Sequence, residues 1–494
     1  MSGQLKQLGK HTLVYTAGII IGKVASFVML PVYTRYLTPA DYGVLELLGM
    51  TIDVIGMITS VGIVAGVFKF YSEEDDTRLK NAVISTAALS AVALATTTSL
   101  LGLAFSPELS TLIFKGHGNP IYLRLYFVVY FLQTFEYLPF LLIRAENRSV
   151  LFVTINATKL VAMLSLNIFF VVYLRMGIEG VLLSNIIATS ASAIFLSIYM
   201  VRRVGLAFSR DKFAIMFKFG TSIVLWSLAS FVLVFSDRFF LNYYNNTATV
   251  GIYSLAYKFA FLLSVLAYTP FETVWTAQRF EIAKQEGARE LYARVFLYMN
   301  VVIGSIALVI CLFIRDFLLV MSDHAFLPAY RLVPLLVAAQ IVFIWAAYWT
   351  TGIYISGKTN VMARGALFLV AITLTLNFVL IPRFGAFGAA WATFGAYASR
   401  FLWIYYFSER HYPIGYNWTD VAKLYAVLGA AVGVSFIYRP SAYGLSIGWN
   451  AVILAVTIYI VFVLVLSRDD RSSLRALIAT YLPGGGPWAR REAA

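Results

Sequence analysis

A single cysteine, Cys311, in 494 residues excludes any intrachain disulfide, and a lone thiol inside an apolar run reads as packing. Charge is scarce as well: Asp, Glu, Lys and Arg make up 13% of the chain, against about 25% in a soluble domain. The four histidines, His11, His117, His324 and His411, are scattered, with no second ligand at metal-binding spacing. "SGKTN" at Ser356–Asn360 lacks the preceding glycine of a nucleotide-binding loop. No polar segment is long enough to fold by itself, which argues against a membrane glycosyltransferase with its own soluble domain. Strand-period alternation is missing, which excludes a transmembrane barrel.

What fills the chain is apolar sequence, 60% hydrophobic with a mean hydropathy of +0.80. A bilayer core about 30 Å thick needs about 20 apolar residues per helix. Runs of that length occupy 12–34, 42–70, 80–105, 120–143, 150–174, 178–201, 212–236, 249–275, 292–315, 330–355, 360–382, 386–407, 419–438 and 448–467. The expectation is an all-α polytopic membrane protein of about 14 transmembrane helices. The first run is too long for a cleavable signal and follows only Lys6 and Lys10, so it is expected to stay in the mature protein.

The net charge of +14 is distributed unevenly. With the runs laid out as spans, 25 of the 38 lysines and arginines fall on the side of the N-terminus, 9 on the other and four inside spans. The positive-inside rule then puts both termini in the cytoplasm. The basic excess reads as a topology signal and an attraction to anionic membrane lipids, not as nucleic-acid binding.

The chain also repeats itself. "TPADYGVL" around Gly43 returns 208 residues later as "NTATVGIY" around Gly251, and "RMGIEGVLLS" with Arg175, Gly177 and Gly180 returns at the same offset as "RFGAFGAAWA" with Arg383, Gly385 and Gly388. "LSLNIF" with Asn167 meets "LTLNFV" with Asn377 at an offset of 210. Ordered matches at nearly constant spacing mark a duplication. Each copy holds six spans, an even number, so the copies are expected as two six-helix lobes related by a pseudo-twofold axis along the membrane normal. The expected division is 1–205, 206–411, an extra helix pair at 412–468 and a cytoplasmic tail at 469–494.

"LPVYTRYLTPADYGVLEL" from Leu30, "IRAENRS" at Ile143–Ser149, its counterpart "YISGKTN" at Tyr354–Asn360, and the glycine-spaced turns after Arg175 and Arg383 together carry a resemblance. Over about the first 410 residues the chain resembles the polysaccharide transporter branch, the O-antigen and polysaccharide flippases, of the multidrug, oligosaccharidyl-lipid and polysaccharide exporter superfamily. The resemblance implies a flippase, not an enzyme, carrying an undecaprenyl-diphosphate-linked oligosaccharide to the outer leaflet by alternating access, with spans one, two, seven and eight as cavity walls. It allows a polysaccharide polymerase complex as protein partner. No motif matches the lipid II flippase branch, although the span count is shared with it; that branch and cation-coupled multidrug exporters are the alternatives.

A lone charge at mid-bilayer costs about 2.5–3.5 kcal/mol, so such residues should face water, a partner or a ligand. Lys23 lies in the first span, and Glu46 and Asp53, seven residues apart, share one face of the second with Gly49 and Gly56 beside them. Lys258 maps by the repeat to Met50, on that same face. Two lysines suit a desolvated diphosphate, so Lys23 and Lys258 are the candidate substrate ligands. Glu46, Asp53 and Glu136 are candidate charge partners or carriers of a coupling H+ or Na+; no other cofactor is expected. Asp237 and Arg238 are a candidate outer gate. Lys159 is placed in an intralobe network or at the cleft, Arg35 at the interface. Tyr33, Tyr253, Tyr257 and Trp275 are candidates to stack on sugars, and Pro31, Pro139 and Pro270 mark bends.

Overall fold

In the computed structural model residues 27–115, 118–440, 442–465 and 471 are described, and among them all regular structure is helical. Lipid explains why: it offers backbone amides no partner, and a helix satisfies its own. The helices are α1 (Leu30–Tyr36), α2 (Pro39–Gly56), α3 (Gly62–Glu73), α4 (Thr77–Ala104), α5 (Ser106–Phe114), α6 (Pro120–Ala145), α7 (Ser149–Asn167), α8 (Gly177–Val204), α9 (Arg210–Tyr244), α10 (Thr247–Leu263), α11 (Thr269–Ile282), α12 (Ala288–Met321), α13 (Val333–Ile355), α14 (Asn360–His411), α15 (Trp418–Ile437) and α16 (Tyr443–Leu464). Three π-helical segments occur among the described residues: Met57–Val61 carries α2 into α3, Ile168–Tyr173 continues α7, and Ser264–Tyr268 carries α10 into α11.

Twelve helical segments among the described residues are long and apolar enough to cross a membrane. The first expected span lies mostly outside the described residues. The eleventh and twelfth share α14, which breaks at Gly385, where φ is +53°. The fold is therefore the expected all-helical membrane architecture, with these two spans joined through a kink.

The polar break after α1 is a helix stop and start. The Thr38 hydroxyl accepts from the Asp41 amide at 3.2 Å and the Asp41 carboxylate accepts from the Thr38 amide at 3.0 Å, a reciprocal cap that satisfies two orphan donors. Pro39 occupies the first helical turn, where its missing N–H costs nothing. At the repeat-matched position the Asn246 carboxamide accepts from the Thr249 amide and hydroxyl, each at 2.9 Å.

The chain packs as two compact units, one of Met1–Leu255, Met321–Ala329 and Arg364–Ala396, the other of Ala256–Val320, Tyr330–Ala363 and Tyr397–Ala494. In the first, Val83, Ile84 and Ala87 of α4 bury against Leu138, Leu141 and Leu142 of α6, Val67 of α3 and Met216 of α9. Here the repeat-matched glycines meet: a Cβ on Gly43 would run into the carbonyl of Thr247, and one on Gly251 into the carbonyl of Pro39. This reciprocal backbone contact is what a twofold relation between α2 and α10 requires, and only glycine permits it.

In the second unit Trp349 is fully buried, stacked on Trp418 with centroids 5.4 Å apart and edge-on to Phe296 and Phe401. Helices α15 and α16 are fastened to α12 in one cluster of Leu308 and Leu312 with Leu424 and Leu428 of α15 and Ile453 and Val461 of α16. Asp316 adds polar bonds there, from Arg439 at 2.9 Å, Ser446 at 2.9 Å and Asn450 at 3.0 Å.

Candidate functional site

The first polar centre joins α6, α7 and α8. Glu136 is buried, and Lys159 donates to both its carboxylate oxygens, at 2.8 and 2.6 Å. The Ser192 hydroxyl donates to one of the same oxygens. Three residues on, Pro139 lies inside α6 and removes one backbone bond of that helix. The ion pair thus sits beside a local weakness. Breaking such a pair by removing one member costs about 3–5 kcal/mol, because a charge is left alone in low dielectric.

A second centre joins α9, α10 and the part of α14 that follows Gly385. Asp237 and Arg238 are both buried. Asp237 Oδ1 accepts from the Arg238 amide at 2.9 Å and its guanidinium at 2.7 Å, while Oδ2 accepts from the Tyr253 hydroxyl at 2.5 Å and the Thr393 hydroxyl at 3.0 Å. Four donors saturate this carboxylate as an anion. Its position among three helices makes it a clamp between them.

The acidic face of α2 behaves differently. Glu46 is half-buried and Asp53 exposed, while the neighbouring glycine face packs on α6: Cβ atoms on Gly49 and Gly56 would lie 3.3 Å from the Tyr126 hydroxyl and 3.6 Å from the Tyr130 ring. Lys258, half-buried, lies on α10 in the second unit. Lys23 lies outside the described residues. Tyr253, Tyr257 and Trp275 are all buried, bonded respectively to Asp237 at 2.5 Å, to Tyr397 at 2.9 Å and to Thr351 at 3.1 Å.

The repeat is legible in the polar contacts too. Asn167 accepts from the Tyr33 hydroxyl at 3.3 Å, and its counterpart Asn377 donates to the Ser236 hydroxyl at 3.0 Å. Each asparagine ties a late span of its copy to the copy's first. Gly177 and Gly385 both hold positive φ, +56° and +53°. Gly180 and Gly388 both allow close contact with the preceding helix, whose nearest atoms would lie 3.1 Å from a Cβ on Gly180 at Phe170 and clash with one on Gly388 at the Leu380 carbonyl.

Sequence reasoning found Glu136, Lys159, Asp237 and Arg238 but not Ser192 or Thr393. Hydroxyls are common in spans and usually bond back to their own helix, so nothing in the sequence singled these two out.

Comparison with known proteins bears on this arrangement. A family described as "Polysaccharide biosynthesis protein" matches residues 8–276. No curated protein matches the chain by sequence. Among solved structures, the lipid II flippase MurJ in an inward closed conformation is similar with a TM-score of 0.70 at 11% identity, covering 91% of this chain and 99% of that one. An inward-facing multidrug resistance MATE family transporter of the MOP superfamily scores 0.61 at 13% identity over 78% and 95% of the two chains. A point mutant of the Vibrio cholerae MATE transporter VcmN scores 0.52 at 16% identity over 83% and 97%. At these identities the similarity is one of fold, and the fold is that of membrane transporters.

Proposed function

The chain belongs to the polysaccharide biosynthesis protein family, and from that premise we propose that it is a flippase moving a polyprenyl-diphosphate-linked oligosaccharide from the cytoplasmic to the outer leaflet of a bacterial inner membrane. The observation that carries this reading is the family match combined with a transporter fold covering 91% of the chain. In this reading both termini are cytoplasmic, and Lys23 and Lys258 meet the diphosphate as it leaves water. Their two charges offset those of the headgroup, whose bare transfer into low dielectric is prohibitive.

Alternating access needs bends. The π turns Met57–Val61 and Ser264–Tyr268 are candidates because they interrupt the helical bond ladder at matching places in the two copies. Moving a dianion outward from a negative interior is favoured by about 2.3 kcal/mol per charge per 100 mV. Glu46, Asp53 or Glu136 would add to that drive by carrying H+ or Na+ the other way. Collapsing the potential at fixed pH should slow flux; unchanged flux would rule out the potential-driven version.

The test is flipping of an undecaprenyl-diphosphate oligosaccharide in proteoliposomes by wild type, Lys23→Ala and Lys258→Ala. The reading expects flux in wild type and its loss in both variants with folding intact. Full activity in both variants would remove the lysines from the substrate site. The breadth of the MurJ similarity, 99% of that chain, favours lipid II as the second substrate to try.

A further inference from the structure

Near the side that charge bias assigns to the cytoplasm, α3 and α9 leave between them a recess of about 610 Å³, lined by Lys69, Phe70, Ile215, Lys218, Phe219 and Ile223. Two lysines and two phenylalanines thus share one concavity, and among the described residues no acidic side chain lines it. The Lys69 ammonium stands 5.3 Å from the Phe70 ring centre and 4.9 Å from that of Phe219, while the two rings meet edge to face at 5.9 Å. Both lysines are exposed on the protein surface, and cation–π contact holds the Lys69 ammonium against the two rings. Below them Met216 is buried against Gly66, where a Cβ would lie 3.3 Å away, so the floor of the recess is tightly packed.

Depth distinguishes this recess from an ordinary basic rim. At the polar end of α9, Lys212 is paired with Glu74. Lys218 lies six residues further along the same helix, about 9 Å deeper at a rise of about 1.5 Å per residue. An ammonium set back that far from the polar end suits a headgroup phosphate, and Ile215 and Ile223 supply apolar walls on either side of Lys218.

We propose that this recess binds the phosphate of a lipid in the cytoplasmic leaflet, with Lys69 and Lys218 on the phosphate oxygens and Phe70, Phe219, Ile215 and Ile223 against the start of the chain. The shared chemistry is a lipid phosphate. Its source is either bulk anionic phospholipid or the diphosphate of a polyprenyl carrier. Binding here is separate from transport and stands or falls without it.

Native mass spectrometry of the delipidated full-length protein tests the proposal, with phosphatidylglycerol, phosphatidylcholine and undecaprenyl diphosphate as probes. Wild type should retain phosphatidylglycerol over phosphatidylcholine, and Lys69→Gln/Lys218→Gln should lower that preference roughly tenfold. Lys69→Arg/Lys218→Arg should keep it, which separates lost charge from lost folding. Phe219→Leu should weaken it less than the lysine pair does. Undecaprenyl diphosphate displacing phosphatidylglycerol would identify the carrier as the occupant; failure to displace it would identify bulk lipid. An unchanged preference in the glutamine variant of normal thermal stability, or no preference in wild type, overturns the proposal.

Discussion

The two copies of the six-span repeat share a skeleton and differ in chemistry. Gly43 meets Gly251 across matching backbones, Gly177 and Gly385 take the same positive φ, Asn167 and Asn377 each reach the first span of their own copy, and π turns start 207 residues apart. The polar centres are not repeated. Glu136 and Lys159 of the first copy correspond to uncharged apolar stretches of the second around Ile344–Ala347 and Leu367–Val370, while Asp237, Tyr253 and Thr393 correspond to Met29, Leu45 and Asn185. A shared skeleton is needed wherever backbones must cross closely, because that geometry tolerates only glycine. A polar centre ties together the particular helices around it, and nothing in packing demands a second.

That difference can be attacked directly. The largest effect is expected at the unrepeated ion pair: Lys159→Met should destabilise the protein by about 3–5 kcal/mol, since Glu136 is left buried and charged. Glu136→Leu/Lys159→Leu, which imposes the second copy's apolar character, should recover most of that in thermal unfolding. If the double variant is stable yet loses flux, the pair handles ions; if it keeps flux, the pair only packs.

The repeated skeleton should respond symmetrically. Gly43→Ala and Gly251→Ala should each cost about 3 kcal/mol, at the upper end of overpacking penalties, seen as matching losses of monodisperse protein. A large loss at one and none at the other would break the twofold reading of this contact. Gly177→Ala and Gly385→Ala force a side chain into positive φ, and each should cost about 1–2 kcal/mol, measured as a similar drop in Tm. The smallest effects belong to the caps: Thr38→Ala and Asn246→Ala should each cost about 1 kcal/mol, read as a small fall in Tm.

Much of the skeleton could be read from the chain because glycine, proline and capping residues act locally and leave their mark at fixed spacing. "TPADYG" marked a polar break between two spans and a repeat match at Gly251, but the close crossing at Gly43 appears only in the structure. The π turns left no such mark, since "MITSV" and "SVLAY" are ordinary span sequence. The partners within the polar centres were hidden for another reason. Ser192 lies 56 residues from Glu136, and Thr393 lies 156 from Asp237, so only tertiary packing brings them together. The turn at Gly385 was legible from its glycine, and the non-helical φ of +53° and ψ of −129° there separates the eleventh span from the twelfth.

The central proposal is that this chain, with its transporter fold and sequence repeat, carries an anionic lipid-linked sugar. Side-by-side flux in one proteoliposome preparation tests it most directly, with undecaprenyl-diphosphate oligosaccharide, lipid II and a cationic drug as cargo and an interior-negative potential imposed. The account predicts outward movement of the oligosaccharide carrier, accelerated by the potential, and little movement of the drug. Movement of the drug alone would contradict it.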